Sequence, residues 1–222
     1  MSTSERKYIT IAQALKDWWY KDAKTPAELK TLNPLQIKIG DEITIENPDL
    51  QNFKFKVALF DVYTRVIDGK EYSFVDYQLH DDVSEPETWV TFRVIPVEGE
   101  DPNIPPKLSM LLLFPHRQEE YDETLHKKFL PSGVLKIFED GKEPEVYERC
   151  AGLRKPYVAV VTEYMGKEVA DPEEITYWDF QRTLPDGQIQ YYFVELDSAK
   201  MFKTYHARQV SSNDVNILST EV

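Results

Sequence analysis

The chain has a single cysteine, Cys150. That excludes an intrachain disulfide and a multi-thiolate zinc site, and it fits a reducing compartment. Eight glycines in 222 residues leave no G-x-G-x-x-G and no phosphate-binding loop, so the common backbone cradles for nucleotides are missing. No G-x-S-x-G elbow is present either. The four histidines, at 80, 116, 126 and 206, are scattered with no H-x-x-x-H spacing, and neither a metal site nor a cofactor is expected from spacing alone. No apolar run approaches spanning length, and none follows the first residues, Met1 to Lys7. A soluble, cytoplasmic protein with no membrane partner is the expectation. Positive charge is also short: 26 Lys+Arg against 39 Asp+Glu give a formal −13. Such a surface repels phosphate backbones, so no nucleic-acid partner is expected, whereas basic or neutral partners are favoured.

What the chain does contain is a folded protein's share of apolar residues, 41% with 13% aromatics, and a motif used twice. Tyr72-Ser-Phe-Val-Asp-Tyr-Gln-Leu79 aligns with Ile175-Thr-Tyr-Trp-Asp-Phe-Gln-Arg182, placing Asp76 over Asp179 and Gln78 over Gln181. The flanks agree. Val57 to Phe60 matches Val158 to Val161 at an offset of 158 − 57 = 101, and Gly40-Asp-Glu42 matches Gly141-Lys-Glu143 at the same offset. The motif itself lies at 179 − 76 = 103, and Thr88 to Val94 meets Gln190 to Leu196 at 190 − 88 = 102. Insertions confined to turns produce that narrow drift, which points to a duplicated β unit.

The expected fold is mainly β (α+β): two similar antiparallel meander or small-barrel units packed together, with an N-terminal helix pair and a helix between the units. Residues 1–34 form the helical segment. Ile11, Ala14, Leu15, Trp18 and Trp19 make one apolar stripe behind a Thr10 cap, and Thr25-Pro26-Ala27-Glu28 is a capping box. The first β unit is expected over 35–98, with a Gly40-Asp41 turn, a long strand from Asn52, an Asp68-Gly69 hairpin and a closing strand from Thr88. Residues 99–133 read as a Pro-rich linker, a buried strand at Leu108 to Phe114, and a helix from Glu119 to Phe129 striped by Tyr121, Leu125 and Phe129. The second β unit spans 134–222, with a C-terminal strand and tail.

Candidate functional residues are few. In each motif strand an Asp and a Gln share one face behind a bulky residue. On the simpler reading Asp76, Gln78, Asp179 and Gln181 are the polar ends of strands running out to solvent. On the sharper one they line a shared groove and hold a ligand or a partner's backbone. Trp18 and Trp19 pack as core, or anchor a protein partner. His80-Asp81-Asp82 with Glu85 is the densest potential metal cluster, of the kind hard cations use, though an acidic turn between strands is the ordinary explanation. Arg149 beside Cys150 sets a cation next to a thiol, though no base is marked out. No catalytic group is assigned. The leading expectation is a non-catalytic protein-binding or scaffolding module. The alternative is a small-ligand-binding protein or an enzyme with its site between the two β units. The oligomeric state is left open.

Gly40-Asp41, Tyr77-x-Leu79 and Trp89-Val90, with Trp178-Asp179-Phe180 and Val194-Glu195, form a pattern that resembles the bacterial domain-of-unknown-function family 4178, present as two repeats. Gly141-Lys142 departs from it where Gly-Asp is expected. The resemblance implies a fold and carries no assigned activity.

Overall fold

The computed structural model describes residues 6–10, 35, 37–46, 54–67, 70–81, 88–97, 107–150, 156–165 and 168–220. The expected N-terminal helices and Trp18 and Trp19 lie outside them. Among the described residues the protein is mainly β, with strands β1 (Arg6–Thr10), β2 (Glu42–Ile45), β3 (Lys54–Ile67), β4 (Lys70–Asp81), β5 (Thr88–Val97), β6 (Lys107–Glu120) and β7 (Val134–Ile137). There follow β8 (Glu145–Arg149), β9 (Tyr157–Met165), β10 (Glu168–Val169), β11 (Glu173–Thr183), β12 (Ile189–Leu196), β13 (Met201–Gln209) and β14 (Val215–Thr220). The chain forms two compact units that are not consecutive segments. The first comprises Met1–Leu112, Thr162–Pro172 and Val210–Val222; the second comprises Leu113–Val161 and Glu173–Gln209. β6 and β9 thus pass from one unit to the other along their length.

In the first unit the hydrogen-bonded order is β1-β14-β2-β3-β4-β5, and every pairing is antiparallel. The turn into this sheet follows from Gly40 and Asp41. Gly40 takes φ 88°, which a residue without Cβ reaches at little cost. The Asp41 carboxylate accepts from Lys38 N at 2.8 Å, and Gly40 N donates to Val57 O at 2.8 Å. Alternation then buries Ile43 and Ile45 of β2 and Phe55 and Val57 of β3. β4 is buried on both sides: Phe74 and Asp76 on one, Val75, Tyr77 and Leu79 on the other. Burial drives the Tyr77 phenol well above its ordinary pKa.

In the second unit the order is β13-β12-β11-β8-β7, with the first residues of β9 also pairing with β11. Residues two apart share a face. Trp178 and Phe180 of β11, Tyr192 and Val194 of β12, Phe202 of β13, Tyr147 of β8, and Leu135 and Ile137 of β7 meet in one core with Leu130. Each buried aromatic contributes roughly 1.5–3 kcal/mol relative to exposure. Gly133, at φ 81°, closes the helical turn that leads into β7.

Two expectations are corrected. The helix expected from Glu119 to Phe129 does not start there, because β6 continues as a strand to Glu120; a π-type turn covers Leu125–Phe129 and a 3-10 turn Leu130–Ser132. Period alone misleads at this point. Tyr121 and Phe129 are 37% and 55% exposed; of the stripe, Leu125 packs on the core and Tyr121 stacks on Phe202 from its outer side. The preceding polar residues are held in extended form by Thr204, whose Oγ1 accepts from Arg117 N at 3.0 Å.

Internal symmetry is also looser than the sequence repeat. β4 and β11 are each followed by an antiparallel closing strand, β5 and β12. On the other side β4 pairs along its length with β3 alone, whereas β11 is shared between β8 and β9. Asp76 stands opposite Asp61 and Arg93, but Asp179 stands opposite Phe193.

Candidate metal-ligating site

Asp76 is 1% exposed and fully occupied. Its two oxygens accept from Arg93 Nε at 2.8 Å and Arg93 Nη2 at 2.6 Å, and the guanidinium lies over the rings of Phe74 (4.6 Å) and Tyr63 (5.3 Å). Gln78 donates to Asp61 Oδ2 at 2.9 Å and accepts from Thr91 Oγ1 at 2.8 Å. Neither runs out to solvent; both close polar networks inside the first unit. Asp179 belongs to the second unit, where Arg149 Nη2 approaches its Oδ1 at 3.4 Å and the Arg149 guanidinium lies 5.4 Å from the rings of both Tyr157 and Phe180. Gln181 is exposed, and Cys150 Sγ sits 3.7 Å from its Oε1. The Cys150 thiol is pushed up to about 12 by burial first and by Asp179 second, with Arg149 opposing. It is therefore not an activated nucleophile. His80 stacks on Trp89 at 4.9 Å, while Asp82 and Glu85 fall outside the described residues.

A different set of residues converges in the second unit. Along β11 the same face carries Trp178, Phe180 and then Arg182; along β12 it carries Val194, Tyr192 and then Gln190. Register locks these in pairs, Phe180 opposite Tyr192 and Arg182 opposite Gln190, and it sets His206 of β13 opposite Tyr192. One end of the face is apolar core. At the other end polar side chains gather. His116 from β6, Glu139 just beyond β7 and His206 offer one ligating atom each, all within 4.8 Å of one another. The His116 and His206 rings are 4.5 Å apart, and His116 Nε2 is 3.8 Å from Glu139 Oε1.

The atoms facing away from this point are engaged. His116 Nδ1 lies 2.8 Å from the Tyr192 hydroxyl, and His206 Nδ1 lies 3.3 Å from the Tyr147 hydroxyl. The Tyr147 O–H is directed at Glu145 Oε2, 2.9 Å away, so its oxygen accepts from His206 Nδ1–H and leaves Nε2 with its lone pair. Glu145 Oε1 is held by Arg182 Nη2 at 2.5 Å. Arg182 Nε donates to Gln190 Oε1 at 2.7 Å, and its guanidinium covers the Tyr147 ring at 4.9 Å. Lys142 Nζ donates to Glu139 Oε2 at 2.6 Å.

Electrostatics fix the charge states. Burial, then Arg117, lowers the His116 pKa against the pull of Glu139, Glu145 and Glu119. Burial, then His116 itself, lowers that of His206. The hydrogen bond from Lys142 lowers that of Glu139. At neutral pH the cluster holds two neutral imidazoles and one carboxylate, all of them lone-pair donors. Burial and the Glu145 hydrogen bond raise Tyr147, which stays a phenol.

Linear spacing could not reveal this cluster. Its members are separated by 139 − 116 = 23 and 206 − 139 = 67 residues, and only strand pairing gathers them. The available signal was weaker: polar residues in phase with an apolar face, Arg182 after Trp178 and Phe180, and His206 after Phe202.

No family model, curated protein or solved structure matches this chain. Among the described residues no helix is long and apolar enough to cross a membrane.

Proposed function

We propose that this is a small-ligand-binding protein, with its site at the polar end of the second unit's sheet face. The carrying observation is the convergence of His116, Glu139, His206, Tyr147, Glu145 and Arg182 on a face that is otherwise core. A polar network of that size costs folding free energy to assemble and desolvate unless it is fully satisfied. Functional sites are where proteins keep such groups. The competing reading, a protein-binding module, draws on Asp76 and Gln78, which are taken up by internal partners, on Asp179 and the exposed Gln181, and on Trp18 and Trp19. It now rests on the tryptophans and on Asp179 with Gln181.

The same proposal retains a cytoplasmic setting, consistent with one part-buried thiol. It also retains a duplication on the similarity of the two motifs and their flanks, a helix pair ahead of the first β unit, and the resemblance to family 4178, which brings no activity with it.

The test is a titration of histidine-labelled full-length protein, followed by NMR, with zinc, magnesium, phosphate, citrate and a nucleoside triphosphate as separate probes. The expected result is saturable movement of the His116 and His206 signals with at least one probe, while His80 and His126 stay still. Silence of His116 and His206 towards all five would overturn the proposal.

A further inference from the structure

We infer that the ligand is a divalent transition-metal ion, bound by His116 Nε2, His206 Nε2 and a Glu139 carboxylate oxygen. This rests on the ligand-binding proposal and narrows it to one chemical class. Donors on a four-coordinate ion lie roughly 3.3 Å apart when each bond is about 2.0–2.1 Å. The His116 Nε2 to Glu139 Oε1 distance of 3.8 Å is half an ångström from that on the order-of-magnitude scale of such bonds. One ring nitrogen of each histidine and one Glu139 oxygen lie within 4.8 Å of one another, and the remaining separations close by side-chain rotation of part-exposed groups. Two imidazoles and one carboxylate suit zinc, cobalt, nickel, copper or iron, whereas magnesium and calcium demand an oxygen shell that these residues lack.

The outer contacts strengthen the assignment. A metal-bound imidazole needs its other nitrogen held, which fixes ring orientation and tautomer. Tyr192 does this for His116 and Tyr147 for His206. Tyr147 is itself held by Glu145, and Glu145 by Arg182, so the support runs two contacts deep. Lys142 engages one oxygen of Glu139 and leaves the other facing His116. The two histidine rings stand 4.5 Å apart. An ion turns that closeness into a chelate. Three protein donors also leave coordination positions for water or a substrate, the arrangement of reactive sites rather than purely structural ones.

The experiment uses untagged full-length protein stripped with a chelator. Zinc binding is measured by calorimetry, and cobalt(II) loading by its visible absorption. One equivalent of zinc is expected, with intense cobalt bands that zinc abolishes. Glu139→Gln and His206→Gln should each weaken zinc binding by more than the 10- to 100-fold typical of outer-contact losses, roughly 100-fold or more, and Tyr147→Phe by roughly 10-fold. His126→Gln, in the same unit but outside the cluster, should leave affinity within about two-fold, a change on the scale of noise in such constants. Circular dichroism confirms that each variant is folded. A zinc Kd weaker than about 1 mM, or one equivalent still bound with wild-type affinity by folded Glu139→Gln and His206→Gln, would overturn the inference. If phosphate, citrate or nucleotide moves the His116 and His206 signals and zinc does not, the metal assignment fails while the ligand-binding proposal stands. Silence towards every probe removes both.

Discussion

Replacing Asp76 by alanine separates a structural carboxylate from a recognition one. Asp76 and Arg93 have side chains each 2% exposed, and two hydrogen bonds of 2.6 and 2.8 Å join them. Removing the carboxylate takes from a buried guanidinium the counter-charge that these two bonds supply. Breaking a buried pair from one side costs about 3–5 kcal/mol. At about 2–4 °C per kcal/mol for a chain of this size, the transition of the first unit should fall by about 6–20 °C in scanning calorimetry. Arg93 would keep its contacts with the faces of Phe74 and Tyr63, which set the lower end of that range. The double change Asp76→Ala with Arg93→Met is the internal check. It removes both charges and leaves an unbranched apolar stem between the rings, so it should be more stable than Asp76→Ala alone. A loss below about 1 kcal/mol in Asp76→Ala, the range of a solvent-exposed pair, would refute the reasoning. So would a double variant no more stable than the single one.

Three further outcomes follow from the same physical accounting. Because its thiol is pushed up to about 12, Cys150 should react with iodoacetamide at pH 8 about a thousandfold more slowly in the folded protein than in urea, in proportion to the thiolate; equal rates by mass spectrometry would contradict it. The raised value also means that its contribution to stability is complete below the unfolded thiol's pKa and is lost as pH rises towards the folded value. In metal-free protein His116 and His206 have folded pKa values below 6.5, so the unfolded chain binds more protons between the folded and unfolded values. Their contribution is therefore present above pH 6.5 and lost as pH falls, and an NMR titration placing either at or above 6.5 would refute this. Lys200 takes φ 60° in the turn between β12 and β13, where Asp197 O accepts from its N–H at 3.1 Å. Lys200→Gly should relieve left-handed strain and raise stability by about 0.5–1 kcal/mol, and a lower melting temperature would count against it.

The strands themselves were legible. Alternation and β-branched or aromatic content marked Tyr157 to Met165 and Ile189 to Leu196, which are β9 and β12 residue for residue, and Leu108 to Phe114 falls within β6. Pairing was not legible, because a strand's pattern says which face is buried and not which neighbour buries it. Nothing local in Glu145–Arg149 announces that β8 lies against β11. The motif aspartates were found, but their role was not: Arg93 lies 17 residues from Asp76, and only the β4–β5 register sets them face to face. The His116, Glu139 and His206 cluster was hidden for the same reason. Its donors come from a strand, a turn and another strand, and their proximity is a property of topology. The end of β6 was misread because a polar stretch with apolar residues four apart satisfies helical periodicity. Tertiary pairing to Thr204 overrode that local preference.

β14 lies between β1 and β2, so that Ile217 stands opposite both Ile9 and Ile43. Leu218 pairs with Glu42 across 218 − 42 = 176 residues. During synthesis on the ribosome β2 can pair with β3 soon after both emerge, but its other edge has no neighbour until β14 is made. For most of its production the growing chain carries an open β edge backed by Ile43 and Ile45, a template for any other strand within reach. Completing the first unit is then a late, non-local event, and chaperone dependence and crowding in translation should weigh more on this protein's yield than the stability of its finished fold.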